Sequence, residues 1–123
     1  MEQKEINKNC PVSTTLKLIG GKYKALIIWH LTDRTLRFNE LRKLIPEATP
    51  KMLTQQLREL EADKLITRTV YPIVPPKVEY VLSSRGKSLF PILESMYAWG
   101  AEEMKKEVVC PHCTMMDRGT SKT

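Results

Sequence analysis

The chain has 123 residues, 20 Lys and Arg against 14 Asp and Glu, and a formal net charge of +6. That length argues for one domain and against a two-domain enzyme. The longest apolar run, residues 25–29, is far short of the roughly 20 residues of a membrane span. The opening Met1-Glu2-Gln3-Lys4-Glu5 offers no apolar stretch for a secretory signal, so the expected compartment is cytoplasmic. Three cysteines in such a chain do not make a disulfide framework. The basic excess is concentrated early: residues 1–45 hold nine cations and four acids, while 46–83 hold five of each. A small basic chain of this kind expects an anionic partner, nucleic acid first.

Residues 1–9 are polar and read as a flexible N-terminus. Pro11 suits the first position of a helix that closes at Gly20-Gly21. Residues 22–31 read as a second helix, with Tyr23, Leu26, Ile27 and His30 at helical spacing. A turn over 32–35 leads to a very short strand at 36–38. A third helix covers 39–45, with Leu41, Leu44 and Ile45 on one face, and Pro46 stops it. Thr49 and Pro50 form an N-cap and first-turn pair for a fourth helix reaching Asp63. The period then changes to two. Residues 66–71 and 78–82 read as strands joined by the stiff Pro72-Ile73-Val74-Pro75-Pro76 loop. Ser83 caps a long last helix over about 83–107, bent slightly at Pro91, and residues 108–123 read as a flexible tail.

The fourth helix carries the strongest functional pattern. Leu53, Leu57 and Leu60 make one buried stripe, since residues three or four apart share a face. Lys51, Thr54, Gln55 and Arg58 make another, of side chains suited to base edges and phosphates in a major groove. Glu59, Glu61 and Asp63 lie toward the C-terminal end. Two helices joined by a tight turn and followed by a two-stranded ribbon are the layout of a winged helix-turn-helix. The expected class is mostly α with a small β-wing.

With these motifs the chain resembles the HxlR-type family of winged helix-turn-helix bacterial transcription regulators, distant relatives of the MarR type. The matching stretches are Cys10-Pro11-Val12, Ile19-Gly20-Gly21-Lys22-Tyr23, Arg37-Phe38-Asn39-Glu40-Leu41, and the run from Lys51-Met52-Leu53 through Arg58-Glu59-Leu60. Tyr71-Pro72, Val74-Pro75-Pro76-Lys77-Val78-Glu79-Tyr80 and Ala98-Trp99 follow in family order. Tyr23 stands where the family usually has Trp, and Asp63-Lys64-Leu65 replaces a more usual acidic-Gly-Leu turn. The resemblance implies a homodimer that binds a near-palindromic operator in double-stranded DNA, with no catalytic site. By analogy, Arg37, Asn39 and Thr49 join the DNA contacts at the helix-turn-helix, and Arg68 and Lys77 join them from the base of the wing. Leu89, Leu93, Met96, Tyr97, Trp99 and Gly100 recur along the last helix as the expected dimer interface.

The thiols leave alternatives open. Cys10 sits at a helix start near Lys8 and Lys17, a setting that lowers a thiol pKa. Some members of the resembled family sense oxidants or electrophiles through a Cys at this Cys-Pro position, and others carry it without redox use. Cys110-Pro111-His112-Cys113 has the spacing of a redox dithiol but lacks a βαβ context. It could serve a small thiol oxidoreductase, bind zinc with His112, or resolve Cys10 of a second subunit. No other cofactor is expected. Gly86-Lys87-Ser88 lacks the earlier glycine of a phosphate loop.

Overall fold

A computed structural model of the chain describes residues 10–106. Residues 1–9 and 107–123 lie outside the described residues, and with them the ends read from sequence as flexible, 1–9 and 108–123, and Lys8, Cys110, His112 and Cys113. The chain divides into two units between Phe90 and Pro91.

The first unit holds α1 (Pro11–Ile19), α2 (Lys24–Leu31), β1 (Leu36–Arg37), α3 (Phe38–Leu44), α4 (Pro50–Ala62), β2 (Ile66–Tyr71), β3 (Lys77–Leu82) and α5 (Ser84–Lys87). The strands form one antiparallel sheet in the order β1-β3-β2. Strand β2 pairs with β3 from Ile66 opposite Leu82 to Tyr71 opposite Lys77, and β1 adds Leu36 opposite Tyr80. This is a winged helix-turn-helix: α3 and α4 are the helix pair, and β2 and β3 are the wing. Only Ile66 of β2 is buried, so the strand projects with both faces in solvent, and the sequence alternation does not mark a half-buried strand.

Helix α4 is defined at both ends by its own residues. The Thr49 hydroxyl accepts the Met52 amide at 3.1 Å, and Pro50 follows as a first residue that needs no amide partner. At the other end the Lys64 amide donates to the Glu61 carbonyl and the Leu65 amide to the Leu60 carbonyl, both at 2.9 Å. These two bonds are a Schellman closure, and they put Lys64 at φ 61°. The family's usual glycine would adopt that conformation without strain. Leu53, Leu57 and Leu60 are at most 2 % exposed. Each such leucine contributes about 1.5–3 kcal/mol of burial.

A polar seam fastens α4 to α2. The Gln56 Oε1 accepts the Tyr23 amide at 3.0 Å, and the Tyr23 hydroxyl donates to the Glu47 carbonyl at 3.2 Å. A Cβ on Gly21 would stand 2.6 Å from Gln56 Oε1, so the glycine makes room for that amide. Lys24, 6 % exposed, places its Nζ 2.7 Å from Glu59 Oε1. The other Glu59 oxygen accepts Gln55 Nε2 at 2.7 Å. The hydrogen bond from Lys24, then that from Gln55, holds the Glu59 carboxyl below its ordinary value.

Several sequence expectations shift. Helix α2 begins at Lys24 rather than 22, and its buried side chains include Ile27, Ile28 and Leu31, while Leu26 is exposed. The segment is apolar almost throughout, so its pattern did not select a face. Leu16 of α1 and Leu44 of α3 are likewise exposed. The single helix expected over 83–107 is two. Helix α5 ends at Lys87, Ser88 and Leu89 turn, and α6 (Phe90–Lys106) begins. Pro91 lacks the amide that would bond the Lys87 carbonyl, and its ring crowds that carbonyl, so the helix breaks instead of bending. The Leu89 amide bonds back to Gly86 at 3.1 Å, and the Ser88 hydroxyl donates to the Arg85 carbonyl at 2.5 Å.

In the second unit, α6 continues from Pro91. Leu93 is buried, while Ile92, Met96, Tyr97, Trp99 and Met104 are exposed. Among the described residues no helix is long and apolar enough to cross a membrane.

The backbone and the seam together set three expectations for stability. Lys64→Gly should raise unfolding stability in urea by about 0.5–1 kcal/mol, the left-handed penalty less the entropy of glycine. Gly86→Ala should lower the melting temperature, because its Cβ would stand 2.1 Å from the Leu65 carbonyl oxygen. The depressed Glu59 carboxyl gives stability that is complete above the unfolded-chain value near 4.5 and is lost as pH falls through the lower folded value. Glu59→Gln should therefore flatten the acid limb of a stability profile followed by circular dichroism; an unchanged limb would remove the ion pair as its source.

Candidate nucleic-acid interface

The exposed side of α4 gathers the polar stripe expected from sequence. Lys51, Gln55 and Arg58 are exposed, and Thr54 is half-buried beside them. Lys51 lies in the first turn of a 13-residue helix, the end where the backbone dipole is positive, and Thr54, Gln55 and Arg58 continue the stripe along its middle. The leucine stripe on the opposite side anchors the helix, so this face is presented by a buried scaffold. Thr49 stands at the same end, with its oxygen engaged by the Met52 amide and its hydroxyl proton left to donate.

Arg37 and Asn39 open α3. The Arg37 amide donates to Glu40 Oε1 at 2.7 Å, which fixes the helix start, and Arg37 is exposed. Asn39 lines a cleft of about 570 Å³ with Arg42, Lys43, Pro46 and Ala48. Arg42 and Lys43 are cations that the sequence reading did not select. Their signal was their spacing, three and four residues beyond Asn39 on one short helix.

The wing cations are less free than the sequence suggests. Arg68 Nε lies 3.4 Å from Glu61 Oε1. It lines a second cavity of about 260 Å³ with Thr54, Leu57, Arg58, Glu61 and Tyr80. Arg68 therefore joins the polar stripe of α4 at the base of the wing. The Tyr80 hydroxyl is held above its ordinary value by burial first, with Arg68 acting against that shift. Lys77 Nζ sits 4.7 Å from the centre of the Tyr71 ring and 3.6 Å from Glu79 Oε2. The same carboxylate raises the Tyr71 hydroxyl through a hydrogen bond and its charge. The apolar tip, with Val74 97 % exposed, extends past these pairs.

Cys10 is exposed at the N-terminal boundary of α1. Its thiol is held below the ordinary value by the amides of Ser13, then Val12, and next by the Ser13 side chain. These amides belong to the helix start, and Lys17 is not among the causes. His30 is half-buried and held below its ordinary value by that burial first, then by Arg34. Among the described residues no group of three or more His, Cys, Asp or Glu side chains is arranged to hold a metal ion.

The expected interface residues on the last helices separate into two kinds. Leu89 and Leu93 are buried, at 9 % and 4 % exposed. Met96, Tyr97 and Trp99 are exposed, and a Cβ on Gly100 would meet no atom within 4 Å.

This arrangement has close counterparts among known proteins. The HTH-type transcriptional regulator YdeP of Bacillus subtilis (strain 168) is 55 % identical over 93 residues, covering 76 % of this chain and 73 % of the relative. The structure of the HTH-type transcriptional regulator ytcD has a TM-score of 0.74 at 56 % identity, covering 77 % of this chain and 97 % of the other. The redox regulator HypR in its reduced form has a TM-score of 0.74 at 49 % identity, covering 81 % and 97 %. A model of HxlR-like helix-turn-helix proteins matches residues 18–108, from the end of α1 past the end of α6. The chain thus belongs to the HxlR-like helix-turn-helix family and is a transcriptional regulator of the HxlR/MarR type, with regulators rather than enzymes as its relatives.

Proposed function

We propose that the chain binds a near-palindromic DNA operator as a homodimer and that its DNA affinity responds to oxidation of Cys10. The observation that carries the DNA reading is the exposed Lys51, Thr54, Gln55 and Arg58 stripe on α4, anchored by Leu53, Leu57 and Leu60. Helix α4 enters a major groove and reads base edges. Arg37, Asn39, Arg42 and Lys43 on and beside α3 contact the phosphates of the same half-site, joined by the Thr49 hydroxyl. Arg68 and Lys77 contribute from the wing after exchanging their carboxylate partners for phosphate. The second copy doubles the site, with recognition helices about 34 Å apart.

The dimer reading rests on apolar side chains left in solvent. Met96, Tyr97, Trp99 and Met104 are exposed on α6, as are Val12 and Leu16 on α1. Gly100 lets a second backbone approach closely.

The redox reading rests on the lowered thiol of Cys10 and on likeness to the redox regulator HypR. A quinone or diamide would accept two electrons and two protons as Cys10 and a cysteine of the second copy, Cys110 or Cys113, form a disulfide. The link changes the spacing of the two recognition helices.

Gel-shift titration of the full chain on DNA upstream of its own gene tests the first reading. Gln55→Ala should lose about 1–3 kcal/mol of discrimination at one base pair. Arg37→Ala should weaken all sequences alike and lower the salt slope by about one. Parental behaviour in both variants would rule out this docking. For the dimer, Met96→Glu or Trp99→Glu should sediment as a folded monomer with much weaker operator binding; an intact dimer would move the interface elsewhere. For the thiol, diamide should produce a cross-linked band on a non-reducing gel and reduce operator affinity. Cys10→Ser should abolish both effects, and their persistence would end the assignment to Cys10.

A further inference from the structure

We infer that Glu59 is a specificity-determining positioning residue, which locks the Gln55 amide in the one orientation that matches adenine; this rests on the reading that α4 faces DNA. Gln55 and Glu59 are one helical turn apart, and Gln55 Nε2 donates to Glu59 Oε2 at 2.7 Å. Lys24 holds the other carboxylate oxygen at 2.7 Å from within the seam. The carboxylate is therefore tied on one side to a nearly buried cation and on the other to an exposed amide.

The consequence is chemical. A free glutamine amide turns over and exchanges its donor and acceptor ends at little cost. Here a half-turn would set Gln55 Oε1 against the Glu59 carboxylate, acceptor against acceptor, so the nitrogen stays toward Glu59. With one Nε2 proton given to that carboxylate, the amide keeps one N–H donor and the Oε1 acceptor. Adenine offers the complement in the major groove, an N6–H donor beside the N7 acceptor. Guanine offers two acceptors, N7 and O6, and would oppose Oε1. Glu59 touches no base in this account; it acts through Gln55.

The test must separate the orienting carboxylate from the ion pair that helps to hold α2 to α4. The full-length protein, Gln55→Ala, Lys24→Met, and the double variant Lys24→Met with Glu59→Gln each select duplexes from a randomised library, and melting temperatures are recorded alongside. Lys24→Met removes the ion pair and keeps the carboxylate. The double variant removes the carboxylate without leaving a buried ammonium unpaired. The parent should favour adenine over guanine by about tenfold at one position of each half-site, and Gln55→Ala should level that position. Lys24→Met should retain the preference. The double variant should reduce it to within about twofold and leave the other positions unchanged. A double variant that keeps the preference, or a Lys24→Met variant that loses it equally, overturns the role of Glu59. A guanine preference in the parent at the Gln55 position also overturns it. A parent that selects no sequence, or a Gln55→Ala variant that selects the same sequences as the parent, overturns the α4 reading itself and this inference with it.

Discussion

The whole arrangement turns on how α4 is gripped from α2. Its leucines choose which side of the helix is buried, but burial has no direction and leaves the fine angle open. Rotation about the helix axis is set by groups that do have direction: the Gln56 carbonyl oxygen under the Tyr23 amide, and the Glu59 carboxylate against Lys24. Turning α4 by one residue would break both and leave Lys24 without its carboxylate partner, nearly out of reach of water. The exposed face of α4 is thus decided by the contacts on its hidden side. The Gly20-Gly21 turn belongs to the same device, because a side chain at Gly21 would occupy the space taken by Gln56.

Charge at the outer face is managed by neighbours. Lys77 lies near Glu79, and Arg68 lies near Glu61. Solvent-accessible pairs of this kind contribute little to stability, so opening them costs little. The cleft at α3 contrasts with the wing, because Asn39, Arg42 and Lys43 line it without an acid among its lining residues. Electrostatic attraction to a polyanion is therefore uneven across the surface, stronger beside the helix pair than at the wing.

Much of this was readable from residues alone, where one residue type has one local job. Thr49-Pro50 announced the start of α4, the leucine spacing gave its buried side, and the change from period 3.6 to period 2 at Ile66 marked the wing. Lys51, Thr54, Gln55 and Arg58 came together as helical geometry required. The remainder depended on tertiary partners. Helix α2 is apolar nearly all round, so which residues are buried follows from what packs against it. Lys24 reads as an ordinary surface cation until Glu59 is placed beside it. The proline at 91 signalled a disturbance, and only the turn at Ser88-Leu89 determines that it is a break. Leu93 and Met96 share one apolar pattern yet differ in exposure, a difference that spacing does not record.

The wing carries a gradient along its length. At its root, Ile66 and Leu82 are buried, and the Ser83 amide bonds the Leu65 carbonyl at 3.1 Å, against which Gly86 packs. At its far end, β2 has solvent on both faces and the connecting five residues include three prolines. Such a hairpin should open from the tip inward, with faster amide exchange near Tyr71 than near Ile66. It can reshape its outer half against an irregular surface while its root keeps the frame of α4 unchanged. The wing is thereby graded like a spring, compliant at its tip and stiff where it joins the body.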